Sequence, residues 1–329
     1  MKKTVSRLSI IGLLFLVGCN EGTESNVVSQ KYVHKYGFDL TAREWEERKQ
    51  DGQVVTIFKD GTKIVENYAN GILHSSTTTT YPHSEIVKNE KIYDQGVLLK
   101  EIMSDEKGIP IREEAYEFDN RKTITLWYGT GSPMSIEEYD RNKLIEASYF
   151  NTSNELEASV EDYRGIRIKR DRSGKILNED DIQDGIVAIR KTYHPNGQLQ
   201  SETRFKNYDL HGLQKKYTVS GKPLMEQTYK DGFLDGNQIH YRNGKVVLEI
   251  PFAMGKRHGI ERQFDLDGSI IAEIPWIEDQ KHGRMRIKYE DYSNLEWFYK
   301  GKSVSRKEFN DLESREKVLA ELSLEDDNF

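Results

Sequence analysis

The sequence predicts an all-β chain, an elongated tandem array of β-hairpins closed by a C-terminal helix. Three observations carry that prediction. Glycines recur at a nearly constant step, two kinds of turn dipeptide alternate between them, and apolar and polar residues alternate within the intervals. The composition agrees. Of 329 residues, 36% are hydrophobic and 31% charged, with 18 Tyr and 12 Phe against 7 Pro. That points to a thin, aromatic-rich pleated core rather than a large round one.

In chain order, the first element is an address. Lys2, Lys3 and Arg7 precede an apolar run, Leu8 to Val17, about half the ~20 residues a membrane-spanning helix needs. The segment Leu16-Val17-Gly18-Cys19 then resembles the lipobox of bacterial lipoproteins. The resemblance implies a signal peptide over residues 1–18, cleavage before Cys19, lipidation of its thiol and a place in the bacterial cell envelope. Asn20 instead of Asp favours the outer over the inner membrane. Residues 19–31, polar and small, are expected to be a flexible tether reaching roughly 20 Å. Cys19 is the only cysteine, so no intramolecular disulfide can form.

The array follows, over residues 32–303. Gly197, Gly221, Gly244 and Gly268 stand 24, 23 and 24 residues apart. Five residues after each comes a glutamate: Glu202, Glu226, Glu249 and Glu273. Eight residues after each comes an aromatic: Phe205, Tyr229, Phe252 and Trp276. A further unit fits with Asp291 in the glycine slot, Glu296 and Tyr299. Going back, the ladder continues through Gly174, Asn154, Gly131, Gly108, Ser84, Gly61 and Gly37, with a short step of 20 between Asn154 and Gly174. Trp45, Tyr116 and Tyr139 hold its aromatic slot, and Glu66 and Glu113 its glutamate slot. About 12 units result, strongest over 185–303. Each has one turn at the ladder glycine and a second about 11 residues later, as at Asn70-Gly71, Asp184-Gly185 and Asp231-Gly232. Such dipeptides supply the positive φ of tight hairpins, so each unit is one antiparallel hairpin with strands of roughly 6–8 residues. The period-2 pattern Val246, Leu248, Ile250 places one face inward.

The last segment, 304–329, changes period. Ser305-Arg-Lys-Glu308 reads as a capping box, and Phe309, Leu312, Leu319 and Leu322 share a helical face. An amphipathic helix here would cover the final strand edge.

Tyr229-Lys-Asp-Gly-Phe-Leu-Asp-Gly236, Phe252-Ala-Met-Gly-Lys-Arg-His-Gly259 and Trp276-Ile-Glu-Asp-Gln-Lys-His-Gly283 resemble the MORN-repeat variant, whose units read Tyr-x-x-Gly-x-x-His-Gly. The resemblance is specific over 185–303. It implies a hairpin array used for protein or membrane association, with no catalytic residues. Bacterial chains of this type are often labelled YwqK-family antitoxins, a role that would place the chain in the cytoplasm with its toxin, against the export signal.

Formal net charge is −7, and removing the three bases of the signal segment leaves 45 bases against 55 acids. That balance argues against nucleic acid as a partner and against a polybasic grip on lipid. His211, His258 and His282 recur before a glycine, with Asp235 and Asp51 in equivalent slots. One repeat separates them by ~10 Å, too far to share a metal, so each reads as a turn residue bonding its own loop. The glutamates repeat too, which favours a structural over a catalytic role. No phosphate loop, nucleophile elbow or zinc spacing is present. The expectation is therefore a non-enzyme without metal or cofactor: an envelope scaffold binding a protein partner, with glycan or peptidoglycan binding as the alternative. A catalytic site, were there one, would be sought in the irregular units near 140–190.

Overall fold

The structure, a computed structural model, describes residues 26–326. The signal segment 1–18, Cys19 and the start of the tether lie outside the described residues. Among the described residues there are twenty-eight strands, whose established pairings are antiparallel, together with a short helix, one turn of 3-10 helix and a long C-terminal helix. The chain divides into two compact units, residues 26–88 with 93–97, and residues 89–92 with 98–326.

In the smaller unit the strand Val27–His34 pairs with Gly52–Phe58, which pairs with Lys63–Ala69, which pairs with Ile72–Thr80. Pairing thus includes Val27 to Lys31, inside the segment expected to be a tether. The unit around Gly37 is not the regular hairpin the ladder predicts. Thr41 caps a helix, Ala42–Glu47, through a capping box with Glu44, which satisfies two otherwise orphaned backbone donors. The helix carries Trp45 off the strand position expected of it and buries it against Tyr32 and Tyr68, with ring centroids 5.5 and 6.0 Å away.

In the larger unit the strands from Val97–Ser104 to Lys302–Val304 pair with their chain neighbours. Both turn series appear as expected. At the ladder positions the residue in the slot donates its N–H three residues back, as in Gly108 to Asp105, Gly131 to Tyr128, Asn154 to Asn151 and Gly174 to Asp171. In the second series both turn residues have positive φ, as at Asp184-Gly185 (+52, +77) and Asp231-Gly232 (+48, +85), the geometry that matches strand twist.

The final unit departs from the ladder. The turn there is a four-residue loop, Tyr289 to Tyr292, between Lys288 and Ser293, and Asp291 does not adopt positive φ. The register slips by one residue, and a one-residue slip exchanges the two faces of a strand. Leu295 consequently stands opposite Arg286, where a glutamate was expected, and Glu296 stands opposite Met285. Phe298, not Tyr299, faces Gly283, the position that Trp276 holds against Gly259 and Phe252 against Gly236.

Tyr299 turns instead toward the C-terminal helix, Arg306–Asp326. Ser305 accepts the Glu308 N–H at 3.1 Å. Phe309 packs on Trp297, Tyr299 and His282, with centroids 5.1, 6.2 and 5.5 Å apart. Glu313 meets His282 at 2.7 Å, and Glu316 meets Lys300 and the Tyr299 hydroxyl at 2.6 Å each. Leu319, expected on the buried face, is 67% exposed. Phe309→Ala should release the helix at about 1–3 kcal/mol, the loss of one partly buried ring. Amide exchange across 306–326 would rise while the strands before 288 stay protected.

Candidate functional site

The shortened step between Asn154 and Gly174 has a structural counterpart. The strand Leu156–Glu161 pairs at four positions with Lys143–Phe150 but at only two, Val160 with Gly165 and Glu161 with Arg164, with Arg164–Arg170. Beyond those two pairs the strands pair no further with each other, and this local gap in the ladder is the corner of the sheet. Inside it Leu144, Ala147, Tyr149, Val160 and Ile182 form the main buried cluster, with Tyr139, Ala158, Ile168 and Val187 against it.

Charge is buried beside that cluster. Asp180, with no exposed surface, accepts from Arg167 at 2.8 and 3.1 Å and from Arg190 at 2.7 and 3.0 Å, and Asn178 donates to it at 2.9 Å. Burial alone would raise its carboxyl, but the Arg190 and Arg167 hydrogen bonds outweigh it and hold the group below the usual carboxylate range. Buried Glu137 accepts from the hydroxyls of Tyr139 and Tyr149 at 2.7 and 2.8 Å. Burial, then the Glu137 charge, pushes both phenols well above their ordinary value. Two carboxylates and two guanidiniums thus balance, and every carboxylate is held by donors. Such a network specifies one packing of the corner. It lies in the irregular stretch where the sequence directs a search for chemistry, but of these residues only Tyr139 belongs to the ladder that drew attention in the sequence, and none of the charged ones does. Arg167, Asp180 and Arg190 are separated by 13 and 10 residues, a spacing that means something only once the register is known.

Beyond the corner the two faces differ. On one, register-adjacent residues run Arg167, Asp180, Arg190, Thr203, Gln214, Gln227, Gln238. The amides bond in series, with Gln238 donating to Gln227 at 2.8 Å, Gln227 to Gln214 at 2.6 Å and Gln214 to Thr203 at 2.9 Å. The aromatic columns share this face, so its interior is aromatic at the flank and polar along the middle. Farther on, the Trp276 indole donates to buried Glu261 at 3.0 Å, and Arg257 lies over the Trp276 ring at 3.6 Å, close enough for a cation–π contact.

The opposite face carries the predicted glutamates. In register they alternate with bases: Glu179, Lys191, Glu202, Lys215, Glu226, then Glu249, Arg262, Glu273, Arg286. Glu273 approaches Arg286 to 2.9 Å and Arg262 to 3.9 Å, and Lys191 meets Glu179 at 3.1 Å. These are partly solvated pairs, each worth about 0–1 kcal/mol. Their effect is to neutralise a column that would otherwise repel itself.

Two of the recurrent histidines, His211 and His282, serve a different end from the one expected, bonding the turn of the next hairpin rather than their own. His211 meets Asp231 at 3.2 Å, and His282 accepts the Lys300 N–H at 3.3 Å while its other nitrogen meets Glu313. The backbone N–H of His258 donates to the Pro251 carbonyl, and Asp51 pairs with Lys35 at 2.5 Å. Asp235 makes no side-chain hydrogen bond or ion pair among the described residues. Among the described residues no three potential metal ligands converge.

Fold and faces define a tandem β-hairpin repeat protein. The MORN repeat variant family matches residues 187–207 and 210–231, so the chain contains MORN-type repeats there. No curated protein sequence matches the chain. Among solved structures, a porin-like protein from Bacteroides uniformis is similar at 10% identity, over 74% of this chain and 88% of that one, with a TM-score of 0.15. So loose a likeness bears on neither fold nor function.

Proposed function

We propose that this chain is a lipid-anchored, non-catalytic repeat scaffold of the bacterial envelope that binds a protein partner. The observation that carries the reading is the outer face of the C-terminal repeats. Leu224, Ile260, Ile277 and Leu295 are each 44–51% exposed on the face that bears the alternating glutamates and bases. Apolar side chains set among balanced charges are the make-up of a protein interface. The commitment of Glu137 and Asp180 to neutralising partners supports a structural rather than catalytic interior. The lipobox-like segment ending in Cys19 supports the anchor.

Cys19→Ala should move the protein from the membrane to the soluble fraction. Retention in the membrane would sink the anchor. Affinity capture from detergent-solubilised envelopes, repeated with an Ile260→Asp/Leu295→Asp variant that keeps its melting temperature, tests the surface. A partner lost on substitution supports the reading, and equal recovery by both proteins removes it.

A further inference from the structure

One edge of the larger unit is hollowed into a groove of about 920 Å³. Consecutive two-residue turns line it: Arg141-Asn142, then residues from Asp162-Tyr163, Asp184-Gly185 and Asn207-Tyr208. Asp140, Asp162 and Asp184 stand there against Arg141, Lys143 and Arg164, three charges of each sign, and no aliphatic side chain takes part. Arg164 and Asp184 approach to 3.5 Å.

The turn positions themselves are unusual. In the turns at 71, 96, 185, 232, 255 and 301 the second residue is glycine at positive φ. Tyr163 and Tyr208 occupy that position at φ +65° and +73°. A left-handed backbone disfavours any residue with a Cβ, and an aromatic ring does nothing to relieve it, so folding alone does not select tyrosine. Both tyrosines line the same groove. Tyr163 packs over Gly185, where an added Cβ would lie 3.0 Å from its ring. Tyr208 is 64% exposed, so burial does not explain it.

The geometry points to a carbohydrate-binding groove, in which a neutral oligosaccharide lies along the turns with the C–H face of one ring on Tyr208. Its hydroxyls take hydrogen bonds from the basic groups and Asn142 and give them to the three carboxylates. Equal charge of both signs leaves no net field to gather a polyanion or a polycation. The absence of aliphatic lining removes the buried anchors on which a peptide ligand would depend. An exposed tyrosine supplies a rigid amphipathic platform at little entropic cost.

The test uses the mature full-length chain on an array of immobilised neutral oligosaccharides that includes β-1,4-linked glucose and N-acetylglucosamine hexamers. Solution titration of the retained sugar follows. Expected are retention of at least one oligosaccharide, binding by Tyr208→Phe within about threefold of the parent, and binding by Tyr208→Gly weakened about tenfold or more. Tyr208→Gly removes ring and strain together, so it should melt no lower than the parent, which separates loss of a ligand contact from loss of the fold. The proposal is overturned if no oligosaccharide is retained, if Tyr208→Gly binds as the parent does, or if the groove instead holds an unglycosylated peptide in a Tyr208-dependent way. None of these outcomes depends on the lipid anchor or on the outer face, so the scaffold reading would stand or fall separately.

Discussion

Replacing Asp180 by alanine is expected to destabilise the larger unit by about 3–5 kcal/mol, the cost of leaving a buried charge without its partner. Asp180 has no exposed surface and Arg167 only 9%, so the stranded guanidinium cannot reach water without opening the corner. Denaturant unfolding read by tyrosine and tryptophan fluorescence would report the loss. Hydrogen exchange would place it in the strands from Pro133–Asp140 to Ile186–Tyr193 rather than uniformly, because repeat arrays unfold by neighbourhood. Replacing both members, as Arg167→Met with Asp180→Leu, should recover much of the loss, since an apolar pair carries no unpaired charge. An Asp180→Ala protein as stable as the parent would show that the network is incidental to the corner. The same residue sets an acid limit. Its folded carboxyl titrates below the ordinary value, so its contribution is fully present above the unfolded pKa of about 3.9 and is lost as pH falls through the folded one. The gap between parent and Asp180→Ala should narrow below about pH 4.

Gly165→Ala is expected to be nearly as damaging, on the order of 3 kcal/mol or more. Gly165 has φ +147°, and a Cβ on it would lie 2.2 Å from the Ser159 carbonyl oxygen and 2.8 Å from the Val160 Cα. Both obstacles are backbone, so nothing flexible can yield. The residue sits in one of the two surviving pairs between the strands Leu156–Glu161 and Arg164–Arg170, and the new methyl would force apart the hinge of the corner. At Gly197, where an added Cβ meets nothing within 4 Å, the same substitution should cost only the strain of the left-handed backbone. A melting comparison of the two variants reads the difference directly, and equal losses would mean that close approach at the corner is unimportant.

Much of the fold was legible because turns are local. Asp184-Gly185 and Asp231-Gly232 specify positive φ by their own chemistry, so the hairpin count and period could be read without knowing which strands pair. The helix after Ser305 was legible for the same reason. The first unit misled because Thr41 and Glu44, three residues apart, form a capping box that local reading could have weighed against the ladder. The final unit misled because glutamate and aromatic spacing held through Glu296 and Tyr299 while the intervening loop lost the bulge that keeps the register. The site was less legible. Glu202 and Glu273 were conspicuous because they repeat, yet they lie in partly solvated pairs. Glu137, Asp180 and Tyr208 do not repeat and were not singled out.

By itself the sequence determined the all-β hairpin architecture, the period, the position of the turns and the helical close, all set by residues within a few positions of one another. The tertiary structure alone decided which polar residues are buried. A cross-strand partner stands 10 to 13 residues away at the pairs that hold Asp180, and 12 to 15 at those that hold Glu137 and Glu261. A single bulge or a missing one moves that partner to the other face. Where the sheet turns its corner at Gly165, and which charges it encloses there, follows from register and close approach, which no local pattern encodes.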